Sequence, residues 1–467
     1  MPAKYVIHTE ETPNRFKPLS RSGIIAWEEG CLKCPVCVKR QCVYGVYDKR
    51  GIDARQMLDS IDYLCMNCFR CIQNCPKELI HKSVNPEYKE MGDYHWSPDI
   101  ISRLWYQAET GKIPVSGAGY PGPFSGSGFD SMWTDMSEIV RPTRDGIHGR
   151  EYISTMVDLG RTPQYLTCGE NAEIEQSTPQ VISVPVPILI RVPEFGELSE
   201  LTFEGWARAA SMLGTLFALP SDCITMSMSR DSQFLVPILS LAGGDQDWIP
   251  EGVRMVEIEV GEEDDAEEIL NFADKKAPGA LVSARIPVDE GVEDRTLNLV
   301  KAGVPIVHLQ GTWDGRWQDD ETRFLKDGIR FVHLALVEEG LRDSITLLAS
   351  GGIAMAEHVA KSIICGADAV YLDFPILIAL ECRMCRRCLK DLPCPVEIGQ
   401  AERQWVAKRV RNLVGAFHNQ LLEVMGAMGM RDARRLRGEA GRAMFFEELD
   451  QSTFGQLGIV EEGVELE

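Results

Sequence analysis

The chain has 467 residues, 44% of them hydrophobic, which suits two or three domains with a sizeable core. Its formal net charge of -22 argues against nucleic acid or an anionic membrane as a partner. No apolar run reaches bilayer length: the nearest, 369–380, is short and holds Asp373 and Pro375. Residues 1–12 are charged and lack an apolar stretch, so no export signal and a cytoplasmic location are expected.

Residues 1–95 read as the first unit. Eight of the chain's fifteen cysteines fall here, at two- and three-residue gaps that suit metal better than disulfides. Cys31, Cys34 and Cys37 are followed by Cys42; Cys65, Cys68 and Cys71 are followed by Cys75 and Pro76. Three thiolates at i, i+3 and i+6 can wrap one face of an iron–sulfur cubane, whose fourth ligand must come from elsewhere. Zinc is the alternative, but it favours paired C-x2-C knuckles, often with histidine. Residues 27–80 resemble bacterial two-cluster ferredoxins, in which the remote cysteine of each run serves the other cluster. The resemblance implies one 4Fe-4S cluster on Cys31, Cys34, Cys37 and Cys75 and a second on Cys65, Cys68, Cys71 and Cys42. The sequence departs from that family in having four residues before Cys42 instead of three and no proline after it.

Residues 96–180 read as a connecting segment. It contains a Gly/Pro/Ser-rich stretch at 116–128, expected to be loop, and a polar stretch at 135–150 that is either a solvated connector or a docking element.

From 181 the pattern becomes short Val/Ile/Leu runs alternating with amphipathic segments. Strands are expected at 186–192, 255–260, 280–286, 305–309, 345–349 and 369–372, and helices at 203–213, 266–275, 295–302 and 355–364. That alternation predicts an α/β fold with a parallel sheet. A (β/α)8 TIM-like barrel fits 181–397 if 216–250 supplies the missing strands; a doubly wound open sheet is the runner-up. Residues 398–467 form a helical C-terminal extension, with a long amphipathic helix at 401–425, a basic run at 431–442 and an acidic end, both charge runs read as solvated.

A third cysteine group, Cys382, Cys385, Cys388 and Cys394 with Pro395, follows the last expected strand. Its spacing again suits a single 4Fe-4S cluster, placed at the C-terminal mouth of the barrel where active sites of this fold lie. Of the remaining cysteines, Cys365 reads as packing in an apolar helix, while Cys168 and Cys223 stay open.

At 348–352 the chain reads L-A-S-G-G and then enters a helix. A glycine pair there exposes backbone N–H groups at a helix start, a phosphate cradle. Residues 341–396, with the SGG loop, G-A-D-A-V and C-R-M-C-R-R-C, closely resemble the end of the FMN-binding domain of glutamate synthase large subunits, especially the archaeal type that joins ferredoxin clusters to the barrel. P-I-L-I at 187–190, F-G-E-L-S at 195–199 and V-S-A-R at 282–285 extend the resemblance upstream. It implies FMN in the barrel beside an iron–sulfur cluster. Ser350, Gly351 and Gly352 would hold the phosphate, Gly196 and Ser199 would lie near the flavin, and Arg285 would replace a lysine facing it. The sequence departs from the family at 372–374, where Leu-Asp-Phe stands for I-G-T, at 220–224, at 310–315, and in lacking the long glycine- and lysine-rich 2-oxoglutarate loop.

The main expectation is therefore an oxidoreductase subunit with three 4Fe-4S clusters and FMN, relaying electrons within a multi-subunit redox complex. One alternative is a glutamate synthase subunit working with separate amidotransferase and reductase chains; another is a non-catalytic scaffold. No G-x-G-x-x-G follows a clear strand, so an FAD- or NAD(P)H-binding partner chain is expected.

Overall fold

The computed structural model describes residues 5–26, 30–32, 34, 36–37, 42–47, 61–113, 126–134, 153–161, 168–174, 180–241, 248–261 and 264–455. Most of the 116–128 loop, all of the 135–150 stretch and the last twelve residues of the acidic end lie outside them.

In the front module, β1 (Ser22–Ala26) and β2 (Ile80–Val84) pair antiparallel, with α1 (Arg70–Gln73) between them. Val46, Tyr47, Cys71 and Ile80 form a small core of their own beside the thiols. Next come α2 (Pro86–Lys89) and α3 (Pro98–Thr110). A connector reading gives no helix at 98–110. The start signal is present, however: the Ser97 side chain accepts a hydrogen bond from the Ile100 N–H, and Pro98 occupies the first turn. The fully buried Ile101, Leu104 and Ala108 of α3 join the main core.

The strands β3 (Met132–Thr134), β4 (Val157–Gly160) and β5 (Val181–Val184) lead to the barrel. β4 and β5 pair antiparallel and cap its N-terminal end, where the Gly160 N–H donates to Thr346 Oγ1 at 2.9 Å. The barrel itself runs β6 (Ile188–Arg191), α4 (Glu200–Leu213), β7 (Phe217–Pro220), β8 (Leu235–Ser240), β9 (Met255–Glu259), α5 (Ala266–Lys276), β10 (Leu281–Pro287), α6 (Val292–Ala302), β11 (Ile306–Gln310), α7 (Leu325–Glu338), β12 (Thr346–Ser350), α8 (Ala356–Cys365), β13 (Ala369–Leu372) and α9 (Phe374–Ile378). β6 to β13 pair in parallel and β13 returns to β6, so the eight-stranded sheet closes. The open-sheet alternative is thereby excluded. β7 and β8 are the strands that 216–250 had to supply. They were poorly marked because Pro220 and Pro237 lie within them and 3-10 turns, Ser221–Cys223 and Met226–Phe234, replace the crossover helix.

α10 (Arg403–Ala427) packs across α3, α4 and α8. Its fully buried Arg409 donates to the Ala379 and Thr12 carbonyls and to Asn14 Oδ1, tying the N-terminal segment to the end of the barrel. The strand β14 (Ala443–Phe445) pairs with β3, and α11 (Phe446–Phe454) ends the described chain. The basic run at 431–442 is not a free helical face. It forms short 3-10 turns, and Arg437 bridges Asp343 and Asp368 on the barrel.

Candidate functional site

Two of the cysteine groups expected to act together line clefts. Cys42, Cys65, Cys68 and Cys71 line a cleft of about 280 Å³ with Tyr44, Tyr47 and Lys82. Cys382, Cys385, Cys388 and Cys394 line another of about 340 Å³. Of the set Cys31, Cys34, Cys37 and Cys75, Cys37 and Cys75 both pack against the small core of Val46, Tyr47, Cys71 and Ile80. Among the described residues, no three Cys, His, Asp or Glu side chains converge as a single metal ion requires. Four thiols lining one cleft suit a polynuclear cluster.

Backbone geometry supports the same reading. In Cys65–Cys71 the residues flanking the second cysteine, Asn67 and Phe69, have φ of 55° and 57°; in Cys382–Cys388 the equivalent Met384 and Arg386 have 51° and 52°. Left-handed backbone at Phe, Met or Arg is costly and needs a local reason. The shared reason is the spacing: the chain must double back twice to set three thiols around one body. Burial pushes the Cys382 thiol well above its ordinary range, and Cys385, Cys394 and Cys388 push it further. Such a group of thiols ionises together only if a cation shares the charge.

The Cys382–Cys394 cleft abuts the barrel mouth. Phe195, Gly196 and Glu197, from the loop after β6, form part of its wall, and the Cys394 N–H donates to Glu197 Oε2 at 3.2 Å. Segment 92–96 stitches the front module to both. The Gly92 N–H donates to the Arg383 carbonyl, Asp93 pairs with Arg386 at 2.9 Å, His95 Nε2 donates to the Gly352 carbonyl at 2.9 Å, and Trp96 Nε1 donates to the Trp313 carbonyl at 3.1 Å. Tyr94 meets Asp314, and the Arg386 guanidinium lies 4.1 Å from the Trp313 ring.

At the SGG loop, Gly351 and Gly352 have φ of 107° and 63°. An added Cβ would lie 2.6 Å from the Thr312 carbonyl oxygen at Gly351 and 2.3 Å from Gly315 N at Gly352. Both glycines are thus required by the neighbouring 311–315 backbone, and a side chain at Gly351 would disturb that contact with or without a ligand. Among the described residues, none of the hydrogen bonds is donated by the N–H of Gly351, Gly352 or Ile353. Those groups fit a phosphate. Asp373 lies beside them in sequence order at the next strand end. Burial pushes its carboxyl up to about 6, against the hydrogen bond it accepts from the Phe374 N–H, so it is still mostly a carboxylate at neutrality and loses its charge only in mild acid.

The other flavin expectations are placed less simply. Ser199 caps α4, its side chain accepting from the Thr202 N–H, and Gly196 serves the cysteine cleft. Arg285 is buried at the barrel mouth, bound to Glu259 and Gln310 and 3.3 Å from Glu257. Its charge is committed to carboxylates of this chain.

Inside the barrel, Ser350 joins a polar group through Glu257 and His308, two residues that the sequence reading did not single out. His308 Nδ1 lies 2.7 Å from Glu257 Oε2 and Nε2 lies 2.8 Å from Ser350 Oγ, all three side chains buried. Arg191 and Arg285 approach the other Glu257 oxygen, and the Tyr371 ring packs 4.7 Å from His308. The signal was present: Glu257 in M-V-E-I-E and His308 in I-V-H-L-Q interrupt otherwise apolar parallel strands.

Fold and site together define a (β/α)8 barrel whose C-terminal mouth carries a glycine-pair loop and a four-cysteine cleft. Residues 257–431 match the family model described as the conserved region in glutamate synthase. Nearly the whole chain is similar to an archaeal glutamate synthase [NADPH] of Archaeoglobus fulgidus, 26% identical, covering 92% of this chain and 96% of the relative. An archaeal-type glutamate synthase [NADPH] of Dehalococcoides mccartyi (23%) and an archaeal glutamate synthase [NADPH] of Methanocaldococcus jannaschii (22%) each match over 88% of this chain and 92% of their own length. The chain is thus similar to glutamate synthases, in the direction the motifs at 341–396 indicated. Among the described residues no helix is long and apolar enough to cross a membrane.

Proposed function

We propose that this chain is the FMN- and iron–sulfur-carrying subunit of a glutamate-synthase-type oxidoreductase. The relatives align over nine-tenths of their length under that name, which supports a glutamate synthase subunit better than a bare electron relay. The observation that carries the reading is the wall shared by the Cys382–Cys394 cleft and the barrel mouth through Phe195, Gly196 and Glu197. A cluster there would sit beside a flavin whose phosphate rests on Ser350, Gly351 and Gly352.

Bound FMN would exchange electron pairs with a substrate and single electrons with clusters. The chain's own residues bind and orient. The N–H groups of 351–353 receive the phosphate. His95 and Trp96 hold the loops at Gly352 and Trp313 in place, and Trp96 and Phe195 pack on Phe374 to keep water from the mouth. The front module would carry two further 4Fe-4S clusters on Cys31, Cys34, Cys37, Cys75 and on Cys65, Cys68, Cys71, Cys42. A partner chain would supply pyridine nucleotide chemistry, and a further one ammonia.

The test is cofactor content and turnover of the anaerobically purified full chain. About twelve iron atoms and one FMN per chain, with glutamate formed from ammonia and 2-oxoglutarate under an artificial reductant, support the proposal. The same iron and flavin without glutamate formation would return the relay reading, which the departures at 310–315 and 372–374 favour.

A further inference from the structure

Glu257, His308 and Ser350 form a chain of two hydrogen bonds from the barrel interior to the first residue of the SGG loop. The proton positions on it follow from charge. Burial alone would raise the Glu257 carboxyl, but the hydrogen bond from His308 and the charges of Arg191 and Arg285 on its other oxygen keep it ionised. Glu257 is therefore a carboxylate and can only accept, so His308 carries its proton on Nδ1. Burial, reinforced by the charges of Arg191 and Arg285 and opposed by Glu257, keeps the imidazole neutral. Its bare Nε2 must then accept from the Ser350 hydroxyl. In this state Ser350 turns only lone pairs toward the loop, and a phosphate dianion docked there would meet them.

We propose that His308 takes up a proton when a phosphate docks on the 350–352 loop, which turns the Ser350 hydroxyl hydrogen from the imidazole to the phosphate. The inference rests on the flavin reading above and adds a positioning residue to it. One proton moves from water to His308 Nε2, and the hydroxyl rotates; no other bond forms or breaks. The imidazolium is matched on one side by Glu257 and by the phosphate beyond Ser350. Five elements face the ring: Arg191 from β6, Glu257 from β9, Arg285 from β10, Ser350 from β12 and Tyr371 from β13. Of these only Glu257 is a counter-charge, so the empty site disfavours the imidazolium and the docked dianion restores the balance.

The experiment is calorimetry of FMN binding to the full chain freed of flavin, at pH 8 in two buffers of unlike ionisation enthalpy. At that pH the FMN phosphate is a dianion. The expected result is uptake of about one proton per FMN, with affinity falling up to about tenfold per pH unit on the alkaline side. Riboflavin, which has no phosphate, should bind without uptake, and H308Q should bind FMN without it. FMN bound with no uptake by the parent chain overturns the proposal. So does uptake that survives in H308Q, which would place the proton on Asp373 or on the phosphate. Should H308Q fail to fold, the imidazole 15N shifts of His308 in the parent chain decide: one protonated nitrogen before FMN and two after it, or no change and the proposal falls. A folded chain that binds no FMN overturns the flavin reading itself, a result distinct from binding without a proton.

Discussion

Phe69 and Arg386 hold the same left-handed backbone conformation, φ 57° and 52°, each one residue past the second cysteine of its motif. Glu78 and Glu397, three residues past Cys75 and Cys394, match as well at 53° and 44°. The paired side chains are chemically unlike for Phe69 and Arg386, so residue preference does not explain the match. The cysteine spacing does. Left-handed backbone at such residues costs on the order of 1 kcal/mol each. Arg386→Ala and Arg386→Gly both lose the Asp93 pair and the Trp313 contact, but only glycine relieves the backbone. Chemical denaturation should find the glycine variant the more stable by about 1 kcal/mol; equal stabilities would remove the strain argument.

Cys385 and Cys365 should respond oppositely to replacement. Cys385 is exposed at the Cys382–Cys394 cleft, whereas Cys365 is buried in α8 against Met132, with its thiol pushed up to about 12 chiefly by burial. Cys385→Ser should lose about four iron atoms per chain; Cys365→Ser should lose none. Iron and acid-labile sulfide assays on the two variants check the ligand set.

Lys82 Nζ lies 2.7 Å from Cys65 Sγ and 5.0 Å from the Phe69 ring centroid. A charged donor on a ligand sulfur favours the reduced, more negative cluster. Lys82→Met should lower the midpoint potential of the front-module cluster on Cys65 by roughly tens of millivolts, with Lys82→Arg close to the parent. Redox titration followed by EPR would read this, and an unmoved potential would leave Lys82 a packing residue.

His95 makes the molecule acid-sensitive. Burial, helped by the charge of His358 and opposed by the bond to Gly352, holds its imidazole down at about 4, below the ordinary 6.5. The unfolded chain therefore binds more protons between those values. Stability is full above about 6.5 and falls as pH drops toward 4, by on the order of 3 kcal/mol for this group. Burial depresses His333 and His418 to about 4 as well, so the same window applies to all three. Melting temperatures at pH 7.5 and 4.5 should differ less in His95→Asn than in the parent chain; an unchanged difference would exclude His95 as a contributor.

Much of this protein was legible in the sequence because the signals are local. The strand at 369–372 needed only a run of apolar residues between Gly366 and Asp373, and the thiol groups needed only spacing. The SGG loop showed itself because glycines are placed where backbone must approach backbone, here at 2.3 to 2.6 Å for a hypothetical Cβ. What the tertiary structure alone decided depends on which strand faces which. Closure of β13 on β6 is a pairing between segments far apart in the chain, and strand patterns do not encode it. Glu257, His308 and Ser350 lie on β9, β11 and β12, and become a hydrogen-bonded chain only when the closed barrel points all three inward. Segment 92–96, plain in sequence, turned out to join two cysteine modules and the barrel mouth, because a short stretch acquires such a role only from the surfaces it lies between.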